Sequence, residues 1–125
     1  MSLSERVTGD RDRLVPEPFR VEVYPDRERA VVVPHGELDM STVDRLAREI
    51  DELVASGFGN LVVDLRRLAF MDSTGLRLMV RLARRPDAEV RLIDGAAALG
   101  RLFDLTGLRD ALPFVQPHEI DGRWT

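Results

Sequence analysis

The sequence predicts an α/β fold: a mixed, mostly parallel sheet of about four to five strands with helices packed on it, in the order β-β-α-β-α-β-α-β. Three observations predict it. Short runs, apolar at 30–33 and 61–63 and apolar but for Arg91 at 90–93, have the length of buried strands and are flanked by turn-forming residues. The stretches between them repeat apolar residues every three to four positions, the period of a helix with one buried face. At 125 residues, 44% of them hydrophobic, the chain suits one domain with a modest single core. Strands that alternate with helices imply parallel neighbours, and the two consecutive strands at the start place the first one antiparallel at an edge.

Taken in order, residues 1–18 are polar, charged and aperiodic, and are expected to be a disordered arm. Phe19, Val21 and Val23 alternate with Arg20, Glu22 and Tyr24, which is the period of a half-buried strand. Pro25-Asp26-Arg27-Glu28 turns the chain into a second strand, Ala30-Val31-Val32-Val33, so the pair reads as a hairpin. Pro34 lacks an N–H and is expected to bulge or fray that strand. Ser41, with Asp44 three residues on, has the pattern of a capping box. The helix behind it carries Val43, Leu46, Ala47, Ile50 and Val54 on one face and stops at Gly57. Leu61-Val62-Val63 is the central strand, and Leu76, Met79, Val80 and Ala83 mark the next helix. Pro86 and Asp87 break the chain before a strand at 90–93, and Asp94-Gly95 turns it. Leu99, Leu102 and Phe103 mark a third helix closed by Gly107, and Phe114-Val115 is expected as a last short strand. The domain is thus bounded at 19–115, with an aperiodic tail at 116–125 whose Trp124 carries no reading.

Composition removes many chemistries. There is no cysteine, which excludes disulfides, thiol catalysis and thiolate metal sites. The 18 basic residues are all arginine, so Schiff bases, a P-loop and a kinase lysine are excluded as well. A net charge of -4 with no basic tract argues against nucleic acid. No apolar run approaches the roughly 20 residues that span a bilayer, and no signal peptide is visible, so neither a membrane nor a secreted location is expected. The expected compartment is the cytoplasm.

The stretch from 61 to 85 organises the rest. A buried strand leads through Asp72-Ser73-Thr74-Gly75 into an amphipathic helix. A hydroxyl residue at that place is an N-cap, accepting from free first-turn amides. Equally, a serine hydroxyl held at a helix start after a strand is a place where a phosphate is tolerated. In open α/β sheets, partner chemistry collects beyond the carboxyl ends of the strands. Three loops are expected there, carrying Asp39 and Ser41, Asp72 and Ser73, and Asp94 and Gly95. The three aspartates read as caps and turn residues rather than Mg²⁺ ligands, since a phosphoryl-transfer site of the receiver type would need a lysine. Ser73 lacks a G-x-S-x-G elbow, so His35 does not make it a hydrolase nucleophile. No catalytic residue, metal site or cofactor is expected. Arg77, Arg81, Arg84 and Arg85 form a stripe on the central helix, either a solvated face or a partner-facing one.

Three motifs, GELD at 36–39, FMDSTGL at 70–76 and RLFDLTGL at 101–108, together resemble the STAS domains, and most closely the bacterial anti-sigma factor antagonists. The resemblance spans residues 19–115. It implies a non-enzymatic switch. In the family the unmodified antagonist binds an anti-sigma factor serine kinase and so frees a sigma factor. The kinase ends binding by phosphorylating the serine after the motif aspartate, and a metal-dependent serine phosphatase restores it. Carried onto this chain, the phospho-acceptor is Ser73. The partner-binding residues are Asp39, Met40, Ser41, Asp72, Thr74, Gly75, Leu76 and Arg77. Where the family often has GLG, this chain has Gly75-Leu76-Arg77, and its tail is too short for the family's fourth helix. The resemblance also leaves two alternatives, a scaffold subunit of a STAS signalling assembly and an accessory STAS subunit of a transport system. The short chain favours the stand-alone antagonist over both.

Overall fold

The computed structural model describes residues 17–120; residues 1–16 and 121–125, and with them most of the expected arm and the end of the tail, lie outside the described residues. The strands are β1 (Arg20–Asp26), β2 (Arg29–Leu38), β3 (Asn60–Asp64), β4 (Leu68–Met71) and β5 (Glu89–Ile93). The helices are α1 (Val43–Ala55), α2 (Ser73–Ala83) and α3 (Ala97–Leu105). The five strands form one mixed sheet in which β1-β2-β3-β5 are consecutive neighbours and β4 adds to β2. Only β1 with β2 is antiparallel, which makes β1 the antiparallel edge strand the sequence calls for.

All three helices pack on one face. Alternation along the strands sends Ala30, Val32, Leu61, Val63, Val90 and Leu92 to that face, where they meet Leu46 and Ile50 of α1, Met79 and Leu82 of α2, and Leu99 and Phe103 of α3. Phe103 is fully buried and meets Phe114 edge-on, with ring centroids 5.0 Å apart. Val31, Val33, Val62 and Ile93 point to the opposite face, where they form a smaller cluster with Ile120 and the half-buried Val115. Residues 117–119 form a single 3-10 turn that brings Ile120 down onto this second cluster. No fourth helix is present among the described residues.

Several local expectations are corrected. The segment 68–71 is a strand that the periodicity does not predict. Asp64 caps a 3-10 turn at Leu65–Arg67 by accepting from the Arg66 amide at 3.0 Å. That turn steps the chain from β3, paired with the first half of β2, to β4, paired with its last residues. Conversely, Phe114 makes only an isolated bridge to Leu92 and no strand. Pro34 does not fray β2. It pairs with Val21 and lies between the two runs of parallel pairing, which end at Val32 and resume at Gly36, so neither parallel partner needs its N–H. The irregularity sits instead at Gly36/Glu37, where the register shifts and Gly36 adopts φ +94, a conformation that suits glycine.

Helix starts differ too. Ser41 forms no capping box: α1 starts at Val43 behind Thr42, whose side chain does not cap it. Helix α2 is capped by Asp72 rather than by Ser73 or Thr74. All three are good capping residues, but β4 releases the chain so that Asp72 is the last extended residue. The buried stripe of α2 is rotated from the one predicted. It runs through Gly75, Leu76, Leu78, Met79 and Leu82, leaving Val80 and Ala83 half-buried along its edge.

Candidate functional site

The end of β2 and the end of β4 lie side by side. Their pairing sets Leu38 beside Met71, and the Asp72 amide donates to the Leu38 carbonyl at 3.1 Å. The next residue on each strand is an aspartate, so the sheet itself delivers Asp39 and Asp72 to one end of the molecule. Each carboxylate organises its own loop.

Asp39 accepts from the Ser41 amide at 2.9 Å and from the Ser41 hydroxyl at 2.7 Å. Thr42 closes the same loop, donating to the Glu37 carbonyl at 2.7 Å and accepting from the Asp39 amide at 3.0 Å. These bonds hold Met40 outward, 77% exposed. The Ser41 hydroxyl above all, with the Ser41 amide and Thr42, holds the Asp39 carboxyl below its ordinary range, although the neighbouring Asp72 charge opposes this.

Asp72 accepts from the amides of Thr74 at 2.9 Å and Gly75 at 3.2 Å, two of the free first-turn donors of α2. The Thr74 hydroxyl also donates to it. The Thr74 hydroxyl, then the amides of Gly75, Thr74 and Met40, keep the Asp72 carboxyl below its ordinary range. Both aspartates are therefore anionic at neutral pH.

Ser73 follows as the first helical residue. It is exposed, and among the described residues its hydroxyl has no hydrogen-bond partner. Thr74 differs on both counts, being half-buried and bonded to Asp72. Gly75 faces inward. A Cβ there would lie 2.5 Å from Met71 Cγ and 3.1 Å from Leu38 Cδ2, so the first turn of α2 seats directly on the two strand ends. Leu76 is also buried, its edge reaching a surface groove of about 570 Å³ lined by Val43, Thr74, Leu76, Arg77, Val80, Arg81 and Leu108. Arg77 is exposed on that rim.

Of the residues singled out in the sequence, Asp39, Met40, Ser41, Asp72, Ser73, Thr74 and Arg77 thus gather at one end of the sheet, while Gly75 and Leu76 support them from below. The third loop leaves the sheet at the same end, after β5, but its carboxylate is engaged within its own segment: Asp94 binds Arg109, whose guanidinium also donates to Asp104 and to the Gly100 carbonyl. The nitrogens of His35 are taken by Glu22 at 2.5 Å, Arg20 at 3.3 Å and Glu17 at 3.4 Å, leaving none for Ser73. Among the described residues no group of three or more acidic or histidine side chains has the spacing of a metal site. No helix among them is long and apolar enough to cross a membrane.

Sequence reasoning missed Thr42 and the groove, and named Phe70 only as the first residue of FMDSTGL. Phe70 of β4 is 46% exposed and pairs with Glu37 of β2, so it adds an apolar side chain beside the aspartate loops. Leu108 was visible as the last residue of RLFDLTGL, but its place beside α2 depends on how α3 packs.

A STAS domain model matches residues 19–119. The chain is 33% identical to an anti-sigma-B factor antagonist of Staphylococcus aureus over 89 residues, 69% of this chain and 82% of that one, with the same figures for a Staphylococcus epidermidis relative. Among solved structures it is similar to an anti-sigma factor antagonist from Mycobacterium paratuberculosis, with TM-score 0.69 and 26% identity over 80% of this chain and 87% of that one. Unphosphorylated SpoIIAA, also an anti-sigma factor antagonist, shares the fold at TM-score 0.64 and 24% identity, covering 82% of this chain and 91% of its own.

Proposed function

Because this chain belongs to the STAS domain family, we propose that it is an anti-sigma factor antagonist, a binding module whose partner is an anti-sigma factor serine kinase in the cytoplasm. In this reading the unmodified chain holds the kinase and frees a sigma factor. Phosphorylation of Ser73 ends the interaction, and a serine phosphatase restores it. The chain itself does no catalysis.

The observation that carries the reading is the uncommitted hydroxyl of Ser73, exposed at the start of α2 directly after the anionic Asp72. A phosphate there adds about -1.5 to -2 charges at neutral pH. Asp72 already satisfies the nearest amides, and Leu76, Met79 and Leu82 anchor the helix from below, so the fold tolerates the modification. A partner fitted to a neutral hydroxyl beside Asp39 and Asp72 instead meets a concentrated negative charge. A loss of about 2.7 kcal/mol weakens binding a hundredfold, enough to switch partners.

Phosphopeptide mapping after incubation with the kinase and ATP tests the site. Modification is expected at Ser73 and absent in Ser73→Ala. Modification mainly at Thr74 that persists in Ser73→Ala would refute the assignment. Ser73→Asp should bind at least tenfold more weakly with an unchanged far-ultraviolet spectrum, whereas Ser73→Ala keeps binding.

A further inference from the structure

We propose that Arg77 is the internal counter-ion of a phosphate on Ser73, so that modification also withdraws a positive charge from the rim of the neighbouring groove. The inference rests on the reading of Ser73 as phospho-acceptor and concerns how that site is regulated.

Ser73 and Arg77 are four residues apart on α2 and both are exposed. Side chains at that spacing lie on one helix face with Cβ atoms about 5–6 Å apart, and an acidic group N-terminal to a basic one is the favourable order. Long helical side chains also lean toward the N-terminus, which carries the Arg77 guanidinium toward Ser73 rather than away from it.

Arg77 is also free to respond. Among the described residues it has no ion pair or hydrogen bond, unlike several other arginines of the fold. Arg85 is bound by Asp51 at 2.6 Å and Asp87 at 2.9 Å, Arg109 by Asp94 and Asp104, and Arg45 lies over the Phe19 ring at 5.0 Å. Arg81, the other arginine on the groove, is eight residues from Ser73, a further turn away and out of reach of its phosphate.

Before modification, Arg77 and Arg81 are the charged lining of a groove otherwise walled by Val43, Leu76, Val80 and Leu108, with Thr74 at its edge. A phosphate on Ser73 competes for Arg77 with charge-assisted hydrogen bonds, as phosphates do when a guanidinium is in range. The switch then has two parts: a negative charge appears beside Asp39 and Asp72, and half of the groove's basic rim is drawn off.

The test installs phosphoserine at position 73 of the full chain during translation, so that no kinase is needed. The second ionisation of the phosphate is followed by phosphorus NMR in the otherwise wild-type chain, in Arg77→Gln and in Arg81→Gln. Asp72 and Asp39 face the phosphate in all three and cancel from the comparison. With Arg77 present the midpoint should lie about 0.3 unit lower than in Arg77→Gln, the size of an exposed ion pair, and the gap should close in 1 M salt. Arg81→Gln should match wild type. Equal midpoints with and without Arg77, or an equal shift in Arg81→Gln, would overturn the pairing. A kinase that ignores Ser73 would defeat the proposed function while leaving this result standing; a modified Ser73 with an unmoved midpoint would do the reverse.

Discussion

Gly75→Ala is the substitution that most directly tests how the site is built. An alanine is worth up to about 1 kcal/mol over glycine in a helix, so propensity alone predicts a more stable protein. The packing opposes it. The new methyl would lie 2.5 Å from Met71 Cγ and 3.1–3.2 Å from two atoms of Leu38, and both side chains are buried. Met71 Cγ is mid-chain, not a free end that can swing aside, and Leu38 is fully enclosed. Overpacking of this kind costs about 1–3 kcal/mol. Because Gly75 is in the first turn, where the propensity gain is smallest, the net effect should be a loss of about 1–2 kcal/mol. For a domain of this size that lowers Tm by at least about 4 °C.

The displaced turn also carries Ser73, so the folded fraction should bind the kinase more weakly. Circular dichroism melts of wild type, Gly75→Ala and Gly59→Ala supply the comparison. At Gly59 an added Cβ meets nothing within 4 Å, so that control should melt no lower than wild type. If Gly75→Ala melts at or above wild type, the close seating of α2 on the two strand ends is wrong, and with it the account of what positions Ser73.

Three further outcomes follow from the same structure. Asp39→Asn keeps an oxygen for the Ser41 amide and hydroxyl, so it should leave the melting temperature nearly unchanged while weakening kinase binding; a large loss of stability with normal binding would make Asp39 a structural cap. Ile120→Ala should cost about 2 kcal/mol in urea unfolding, near the low end for a buried aliphatic because the site is near the chain end, and a change below about 0.5 kcal/mol would mean that residues 117–120 are not docked on the second face. Acid supplies the last: the Asp72 carboxyl titrates lower in the folded chain than in the unfolded one, so its contribution is complete above the ordinary carboxylate value and is lost as pH falls through the folded value. The stability gap between wild type and Asp72→Asn should therefore shrink as pH falls below the ordinary carboxylate range of about 4, and a gap that stays constant on acidification would contradict the capping role.

What the sequence determined by itself is what depends on neighbours along the chain. The apolar runs of β2, β3 and β5, the helical periods of α1 and α3, and the closing glycines Gly57 and Gly107 are all short-range signals, legible in the sequence. So was the strand-to-helix passage through Asp72-Ser73-Thr74-Gly75, because a cluster of capping residues before an apolar period has few other uses. Tertiary structure decided the rest. Leu68–Met71 is too short to announce itself and becomes a strand because β2 extends past β3 and offers it a partner. That pairing sets Leu38 beside Met71, fixes Asp72 as the cap and brings Asp39 next to it from more than thirty residues away. The face of α2 that is buried, through Leu78 and Leu82, was likewise chosen by the sheet beneath it. The types of residue at the site were local information; their juxtaposition was not, because it arises from hydrogen bonds between strands that are distant in the chain.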